Sequence, residues 1–146
     1  KSSITEDYKN TRYTIEGTVV TLQNGTGSAA LLHGSESLSL ISYFGDDVNF
    51  DANNDTKQDV AFLLVAHSEI GSSLYYLALA LGTKNEKEQR GSNAIFLGEM
   101  ISPQSLHYLN NVLTFSYGEP KTKKQKATIM RSKNFSVVND VLVESK

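Results

Sequence analysis

Apolar residues in this chain come in short runs or alternate with polar residues, and asparagine, aspartate or glycine separates one run from the next. Alternation is typical of a strand with one buried face. Two runs, residues 60–66 and 74–81, are apolar on both faces, which indicates strands in the centre of a covered sheet. The second run also matches a helical stripe, but its short length between two glycines favours a strand. Four side chains of these runs are predicted to be nearly fully buried: Phe62, Leu64, Leu77 and Leu79.

Three dipeptides predict tight hairpin turns, because asparagine, aspartate and glycine tolerate a positive φ. They are Asn24 with Gly25, Asn110 with Asn111, and Asn139 with Asp140. The predicted strands are residues 13–23, 37–44, 60–67, 74–82, 93–98, 105–109, 112–117, 127–133 and 135–144. The pattern therefore predicts an all-β fold, an antiparallel sandwich or barrel of about eight to ten short strands with little or no helix.

Length and charge restrict the domain count and the classes of partner. The 146 residues fit one domain. Residues 1–12 are polar and are predicted to form a flexible leader or tether, and residues 13–146 a single β domain. A net charge of −2 gives no basic field that would attract nucleic acid. No apolar run approaches the roughly 20 residues of a membrane span, and the absence of cysteine excludes disulfides and thiolate chemistry.

The segment with the most chemical content is an acidic loop at residues 51–59, directly before an apolar strand. Hard cations such as Ca²⁺ bind about six to eight oxygens, and a short loop can supply them from alternating positions. The residues at those positions are Asp51, Asn53, Asp55, Lys57 (through its backbone carbonyl) and Asp59. The spacing makes this loop a candidate calcium site.

One position of the loop does not fit the calcium interpretation. The sixth residue of such loops is usually a glycine, whereas here it is Thr56, whose β-branched side chain resists a positive φ. The alternative is a metal-free loop that aspartate side chains close by accepting hydrogen bonds from backbone amides. The protein would then have no cofactor. The sequence leaves both interpretations open.

Three other features carry less chemistry. Residues 24–30 match a G-x-G-x-x-A dinucleotide fingerprint, but Gly34 interrupts the segment where the required helix would follow, which favours a glycine-rich hairpin. The basic residues 121–126 lack the aromatic side chains of a nucleic-acid platform. The histidines have no metal-ligand spacing and share no catalytic motif; they are His33, His67 and His107.

The order of several elements matches a known pattern. Tyr43, Phe44 and Gly45 precede the acidic loop, which is followed by the two apolar runs, by SNAIFLGEMISPQS at residues 92–105 and by FSVVNDVLVE at residues 135–144. In this order the chain resembles a family of small, functionally uncharacterised exported bacterial proteins. That family has a D-x-N-x-D-G-x-x-D loop similar to the calcium loops of FG-GAP repeats in integrin-type propellers, and this chain departs from it at Thr56.

The resemblance implies a β-rich fold and an exported protein, periplasmic or at the cell surface, and it brings no catalytic residues. The first functional hypothesis is a non-catalytic cell-envelope module that binds a protein or glycan partner or has a structural role. The second is a hydrolase of cell-wall glycan that uses Asp46, Asp47 or an aspartate of the 51–59 loop. Such an enzyme needs two carboxyl groups about 5–10 Å apart across one cleft. A narrower alternative is a small inhibitor of an envelope enzyme.

Overall fold

The structure, a computed structural model, describes residues 8–31, 38–52, 56–67, 73–83, 89–120 and 128–145. These residues contain eleven strands. The predicted all-β fold is confirmed. No helix in these residues has the length and hydrophobicity needed to cross a membrane. The strands are β1 (Arg12–Ile15), β2 (Thr18–Thr21), β3 (Thr26–Ala30), β4 (Leu38–Phe50), β5 (Asp59–His67), β6 (Ser73–Gly82), β7 (Gln89–Glu99), β8 (Ser102–Leu109), β9 (Val112–Pro120), β10 (Thr128–Val138) and β11 (Val141–Ser145).

Two-residue turns with positive φ at both central residues divide the chain where the dipeptide signals predicted. A further turn of this kind, at Glu16 (φ 54°) and Gly17 (φ 82°), splits the predicted strand 13–23 into β1 and β2. Glutamate gives no turn signal, so the sequence pattern alone predicts one continuous strand there. The three predicted turns have φ of 52° and 83° (Asn24, Gly25), 53° and 66° (Asn110, Asn111), and 52° and 66° (Asn139, Asp140).

The larger sheet has seven strands in the order β2-β1-β7-β6-β5-β4-β3. Neighbouring strands are antiparallel, as predicted, except β1 and β7, which are parallel. In the described residues, one isolated bridge, between Gln23 after β2 and Thr26 of β3, links the two outermost strands, so the sheet is nearly closed. β4 extends past its predicted end at residue 44 through a break in register, here called the β4 bulge (residues 43–48), where Gly45 and Asp46 have φ of 132° and 59°.

The interior of the larger sheet is an aromatic and aliphatic core. Phe62 lies at its centre, with its ring centroid 5.0 Å from that of Tyr8, 5.7 Å from that of Tyr13 and 5.7 Å from that of Tyr43. Phe62 and Leu64 are both fully buried, as predicted. Burying one such side chain contributes about 1.5–3 kcal/mol to the free energy of unfolding.

The smaller sheet has four strands in the order β11-β10-β9-β8 and packs on the outer face of the larger one. Leu77 and Leu79 are fully buried between the two sheets, together with Phe115 and Phe135. Both faces of β5 and β6 are therefore covered, which is what their two-sided apolar runs predicted. β10 runs without a break through Asn134, where the prediction had separated two strands.

Residues 8–11 pack against the nearly closed larger sheet, although the sequence predicted that order would begin at Tyr13. Tyr8 is only 5% exposed and joins the interior core. Leu22 N donates to Thr11 O (2.9 Å) and Gly25 N donates to Lys9 O (2.9 Å). The segment is polar in composition, so the residue pattern does not indicate that the Tyr8 ring is buried. Residues 1–7 of the predicted tether lie outside the described residues.

Candidate functional site

The acidic loop is closed by Asp59, the first residue of β5. Its side chain is completely buried, with Oδ2 accepting a hydrogen bond from Ala52 N (2.6 Å) and Oδ1 accepting one from Gly82 N (2.7 Å). A Cβ on Gly82 would lie 2.6 Å from the Gln58 carbonyl oxygen, so only glycine fits this approach. Asp59 thereby fixes the end of β4 and the end of β6 to the start of β5.

The front of the loop is held by a second aspartate. Asp51 Oδ2 accepts a hydrogen bond from Thr56 N (2.8 Å), and Thr56 has φ 66°. Thr56 therefore adopts a conformation that favours glycine and that its β-branched side chain is predicted to resist. Two further candidate ligands, Asn53 and Asp55, lie outside the described residues. Among the residues that are described, no three histidine or acidic side chains converge as a metal site would require. The calcium interpretation of Asp51, Asn53, Asp55, Lys57 and Asp59 stays a prediction.

A different aspartate, Asp47, is shared by two tyrosines at the β4 bulge. Tyr8 Oη donates to Asp47 Oδ2, and Tyr43 Oη donates to Asp47 Oδ1 (2.7 Å). We call these three residues the tyrosine clasp. Burial and the negative charge of Asp47 disfavour phenolate at both rings, which raises the pKa of Tyr8 and raises the pKa of Tyr43 to about 12.

The tyrosine clasp fixes the segment before β1 to the larger sheet. Lys9 Nζ lies 4.1 Å from the centroid of the Tyr43 ring, a cation–π contact. Tyr13 Oη donates to Tyr8 O (2.5 Å), and Asn24 N donates to Asn10 Oδ1 (2.8 Å). Together with these bonds, the clasp therefore connects residues 8–11 to β1, to β4 and to the turn after β2. Sequence reasoning missed it, although a glycine followed by two aspartates inside an alternating strand is a signal of a bulge.

A cavity of about 180 Å³ lies between the end of β4 and the end of the smaller sheet that carries the 110–111 turn. The rings of Phe50 and Tyr108 line it, with centroids 4.4 Å apart and planes at 39°. Tyr108 Oη donates to Asn111 Oδ1 (3.0 Å). The remaining lining residues are Ala52, Leu113, Phe135, Ser136 and Val137. The described lining thus combines three aromatic rings with one amide and with the hydroxyl groups of Tyr108 and Ser136, without a carboxylate or a histidine.

The opposite side of the smaller sheet is joined to β7 by hydrogen bonds. Asn93 Nδ2 donates to Leu142 O (3.1 Å), and Leu142 N donates to Asn93 Oδ1 (2.9 Å), so the side-chain amide pairs with the edge of β11. Ser92 Oγ donates to Asp140 O (2.6 Å). Asn93 belongs to the NAIFLG element that carries part of the resemblance. Its contacts fix one sheet on the other.

The other candidate residues do not assemble into a catalytic group in the described part of the chain. His67 Nδ1 lies 3.4 Å from Ser73 Oγ, and His107 is exposed on β8; His33 is outside the described residues. No acidic side chain contacts His67 or His107 there. Asp46 is exposed beside the tyrosine clasp. The structure brings Asp51 and Asp59 into one loop and places Asp47 in a separate hydrogen-bonded group.

Comparison of the chain with protein-family models, with curated proteins and with solved structures found no match.

Proposed function

We propose that this chain is a non-catalytic binding module of the bacterial cell envelope, and that it holds a glycan in the cavity beside Phe50 and Tyr108. The observation that carries the proposal is the described lining of that cavity: the close ring pair of Phe50 and Tyr108, a third ring at Phe135, the Asn111 amide and no acidic or histidine side chain. Pockets that bind small ligands are mostly apolar and aromatic, with a few polar groups that fix orientation. A hydrolase would need carboxyl groups at the same place.

The size and chemistry of the cavity suit one sugar ring. Its volume of about 180 Å³ is below the roughly 300–1,000 Å³ of pockets for drug-sized ligands. The C–H face of a sugar packs on an aromatic ring, and its hydroxyl groups exchange hydrogen bonds with amide and phenol groups. Tyr108 and Asn111 offer these groups side by side, since they are already joined by a hydrogen bond.

The carboxylates that the hydrolase hypothesis requires have other partners. Asp59 holds two backbone amides and is buried, and Asp47 holds two phenol groups. Neither residue lines the cavity. These contacts support a binding role over a hydrolytic one. The envelope location rests on the resemblance to exported bacterial proteins, and it makes cell-wall sugars the glycans to test first.

The test is a titration with the peptidoglycan disaccharide of N-acetylglucosamine and N-acetylmuramic acid, followed by nuclear magnetic resonance. We expect the backbone amides of Asn111, Leu113 and Val137 to shift on binding. Tyr108→Ala should weaken binding by roughly tenfold or more, which corresponds to about 1.4 kcal/mol. Tyr108→Phe keeps the stacking ring and should have a smaller effect.

Two further variants control this experiment. Asn111→Gly removes the amide but keeps a residue that accepts the φ of 66°, so it tests the polar contact without straining the turn. Tyr75→Ala removes a half-buried ring outside the cavity and should leave the affinity unchanged. Release of reducing sugar during the titration would favour the hydrolase instead. Inhibition of an envelope hydrolase without glycan binding would favour the inhibitor.

A further inference from the structure

One edge of the larger sheet carries backbone groups that point away from the sheet. The register of β3 and β4, extended by one residue before Thr26, places Gly25 opposite Tyr43, and Tyr43 N donates to Gly25 O (2.7 Å). Hydrogen-bonded and non-hydrogen-bonded pairs alternate along an antiparallel ladder. Gly27 and Ala29 therefore bond to β4, while the N–H and C=O groups of the residues between them point outward.

The outward groups at the start of β3 are already paired. Thr26 N donates to Gln23 O (3.1 Å) and Gln23 N donates to Thr26 O (2.9 Å), which agrees with the alternation. Further along the strand, the next residues with outward groups are Ser28 and Ala30, both exposed. Within the described residues, β3 is an end strand that pairs only with β4, and no other hydrogen bond to these outward N–H and C=O groups is found.

β2 does not cover this edge, because it crosses the buried face of β3. A Cβ on Gly27 would lie 2.6 Å from Thr21 O and 3.3 Å from Val20 Cγ1. That Cβ would point to the same face as Ile41, which stands opposite Gly27 and is fully buried. The end of β2 therefore lies on the inner face of β3, and no strand of the described residues pairs with the edge beyond Thr26.

The side chains beside the open edge are small, and those on the next strand are large. Ser28 and Ala30 stand opposite Leu40 and Leu38 of β4. Leu38 is 61% exposed and Leu40 is 55% exposed, on the outer face that the smaller sheet leaves uncovered. A shallow trough therefore runs along β3, with backbone groups on one side and leucine side chains on the other. Natural sheets protect such edges with lysine, proline or bulges, none of which occurs in β3.

We infer that the open edge of β3 is a docking site for an extended segment of a partner protein, which pairs with Ser28 and Ala30 as an added strand. The unpaired backbone groups specify an extended backbone, as in other cases of strand addition. The trough specifies large, uncharged, apolar side chains at every second position of the partner. Such side chains can cross the small residues of β3 and cover Leu38 and Leu40.

A second copy of this chain fits the edge less well. Pairing of two β3 strands would place Ser28 and Ala30 against the same small residues of the other copy. The exposed leucines of both copies would then stay uncovered. The site is also independent of the proposed glycan cavity, since β3 pairs with residues 38–42 of β4 and the cavity lies at Phe50.

The first measurement is amide hydrogen exchange of the full chain alone. We expect the amides of Gly27 and Ala29 to be protected by the ladder and those of Ser28 and Ala30 to exchange rapidly. Equal protection of all four amides in the monomer would overturn the proposal, because the edge would not be open.

The second measurement adds a probe, a short capped peptide in which isoleucine and threonine alternate between terminal lysines. We expect it to slow exchange at Ser28 and Ala30 by about tenfold or more. A matched peptide with proline in place of its central isoleucine should have no effect, because proline cannot complete the ladder. Absence of protection at peptide concentrations up to about 1 mM would contradict the proposal.

Variants of the chain then locate the binding. Ser28→Pro removes an outward N–H and keeps the ladder to β4, so it should fold and bind the peptide at least about tenfold more weakly. Leu40→Thr should weaken binding as well, whereas Val143→Thr, at an exposed valine of the smaller sheet, should not. Unchanged binding to a folded Ser28→Pro variant would reject this site. A dimer that Ser28→Pro converts to a monomer would show that the occupant is a second copy.

Discussion

Two aspartates of this protein join distant segments in different ways. Asp59 is completely buried and holds two backbone amides, one at Ala52 just after β4 and one at Gly82, the last residue of β6. Asp47 is exposed and holds two tyrosine hydroxyl groups, one of which lies before β1. Backbone amides in a packed fold cannot turn to water, whereas the Tyr43 hydroxyl group, whose hydrogen bond to Asp47 is exposed, can. We therefore expect the Asp59 contacts to stabilise the whole fold and the Asp47 contacts to stabilise mainly one segment.

The largest effect is expected for Asp59→Ala. The variant leaves Ala52 N and Gly82 N without their acceptor, and each hydrogen bond to a charged group is worth about 1.5–3 kcal/mol. The free energy of unfolding should fall by about 3–5 kcal/mol, as measured by urea denaturation. Asp59→Asn keeps one acceptor oxygen and should lose less. A loss below about 1 kcal/mol for Asp59→Ala would mean that other groups replace the carboxylate.

A smaller effect is expected for Asp47→Ala. Both tyrosine hydroxyl groups lose a charged acceptor, but the site is exposed, so water can replace part of the interaction. We expect a loss of about 1–2 kcal/mol. A double-mutant cycle with Tyr8→Phe isolates the bond between these two residues. If Asp47→Ala costs as much as Asp59→Ala, the contrast between the two aspartates is wrong.

The contacts of Asp47, unlike those of Asp59, involve tyrosine hydroxyl groups, so their contribution to stability should depend on alkaline pH. The pKa values of Tyr8 and Tyr43 are raised in the fold, to about 12 for Tyr43. The unfolded chain releases these protons near pH 10, whereas the folded chain still holds them. Stability from the tyrosine clasp is therefore complete below about pH 10 and is lost as pH rises toward and past 12.

Urea midpoints measured between about pH 8 and pH 12 test this expectation. Tyr76 also has a raised pKa, from burial and from Glu16, so the wild-type decline has several contributors. Tyr43→Phe should make the alkaline decline in stability shallower. The extra free energy of unfolding that this variant retains at high pH should be smaller than the free energy that Asp47→Ala loses at neutral pH. A decline that is identical in Tyr43→Phe would exclude Tyr43 as a contributor.

Much of the fold could be predicted because its strands agree with local signals. The two-sided runs gave β5 and β6, and the asparagine turns gave the hairpins, since both signals act over a few residues. The Glu16 turn could not be predicted, because its geometry comes from Gly17 and the pairing of β1 with β2. The packing of Tyr8 on Phe62 joins residues far apart in sequence, which no local pattern reports.

In the candidate site, too, features that depend on local spacing could be predicted, and features that depend on packing could not. The spacing of the acidic loop identified Asp51 and Asp59, but it could not reveal that Asp59 is buried against an amide of β6. The cavity is formed by Phe50 and Tyr108, which come from different sheets. Its chemistry therefore depends on how the sheets pack, and a single sequence carries no direct signal of that.

The smallest effect is expected from calcium. Both oxygens of Asp59 accept hydrogen bonds from backbone amides, and Asp51 accepts one from Thr56 N. These N–H groups compensate part of the negative charge of the loop. We expect about 10 mM calcium to move the melting temperature by less than about 1 °C. A calcium loop at the weak end of affinity, about 10⁻⁴–10⁻³ M, would instead gain about 1.4–2.7 kcal/mol and shift by about 3–10 °C.

Two variants make this prediction decisive. If calcium binds, Asp55→Ala should abolish the shift, because it removes one of the proposed ligands. Thr56→Gly relieves the positive φ of 66° and should raise stability without calcium, by an amount on the order of 1 kcal/mol. A calcium shift that grows in Thr56→Gly and disappears in Asp55→Ala would establish a metal site.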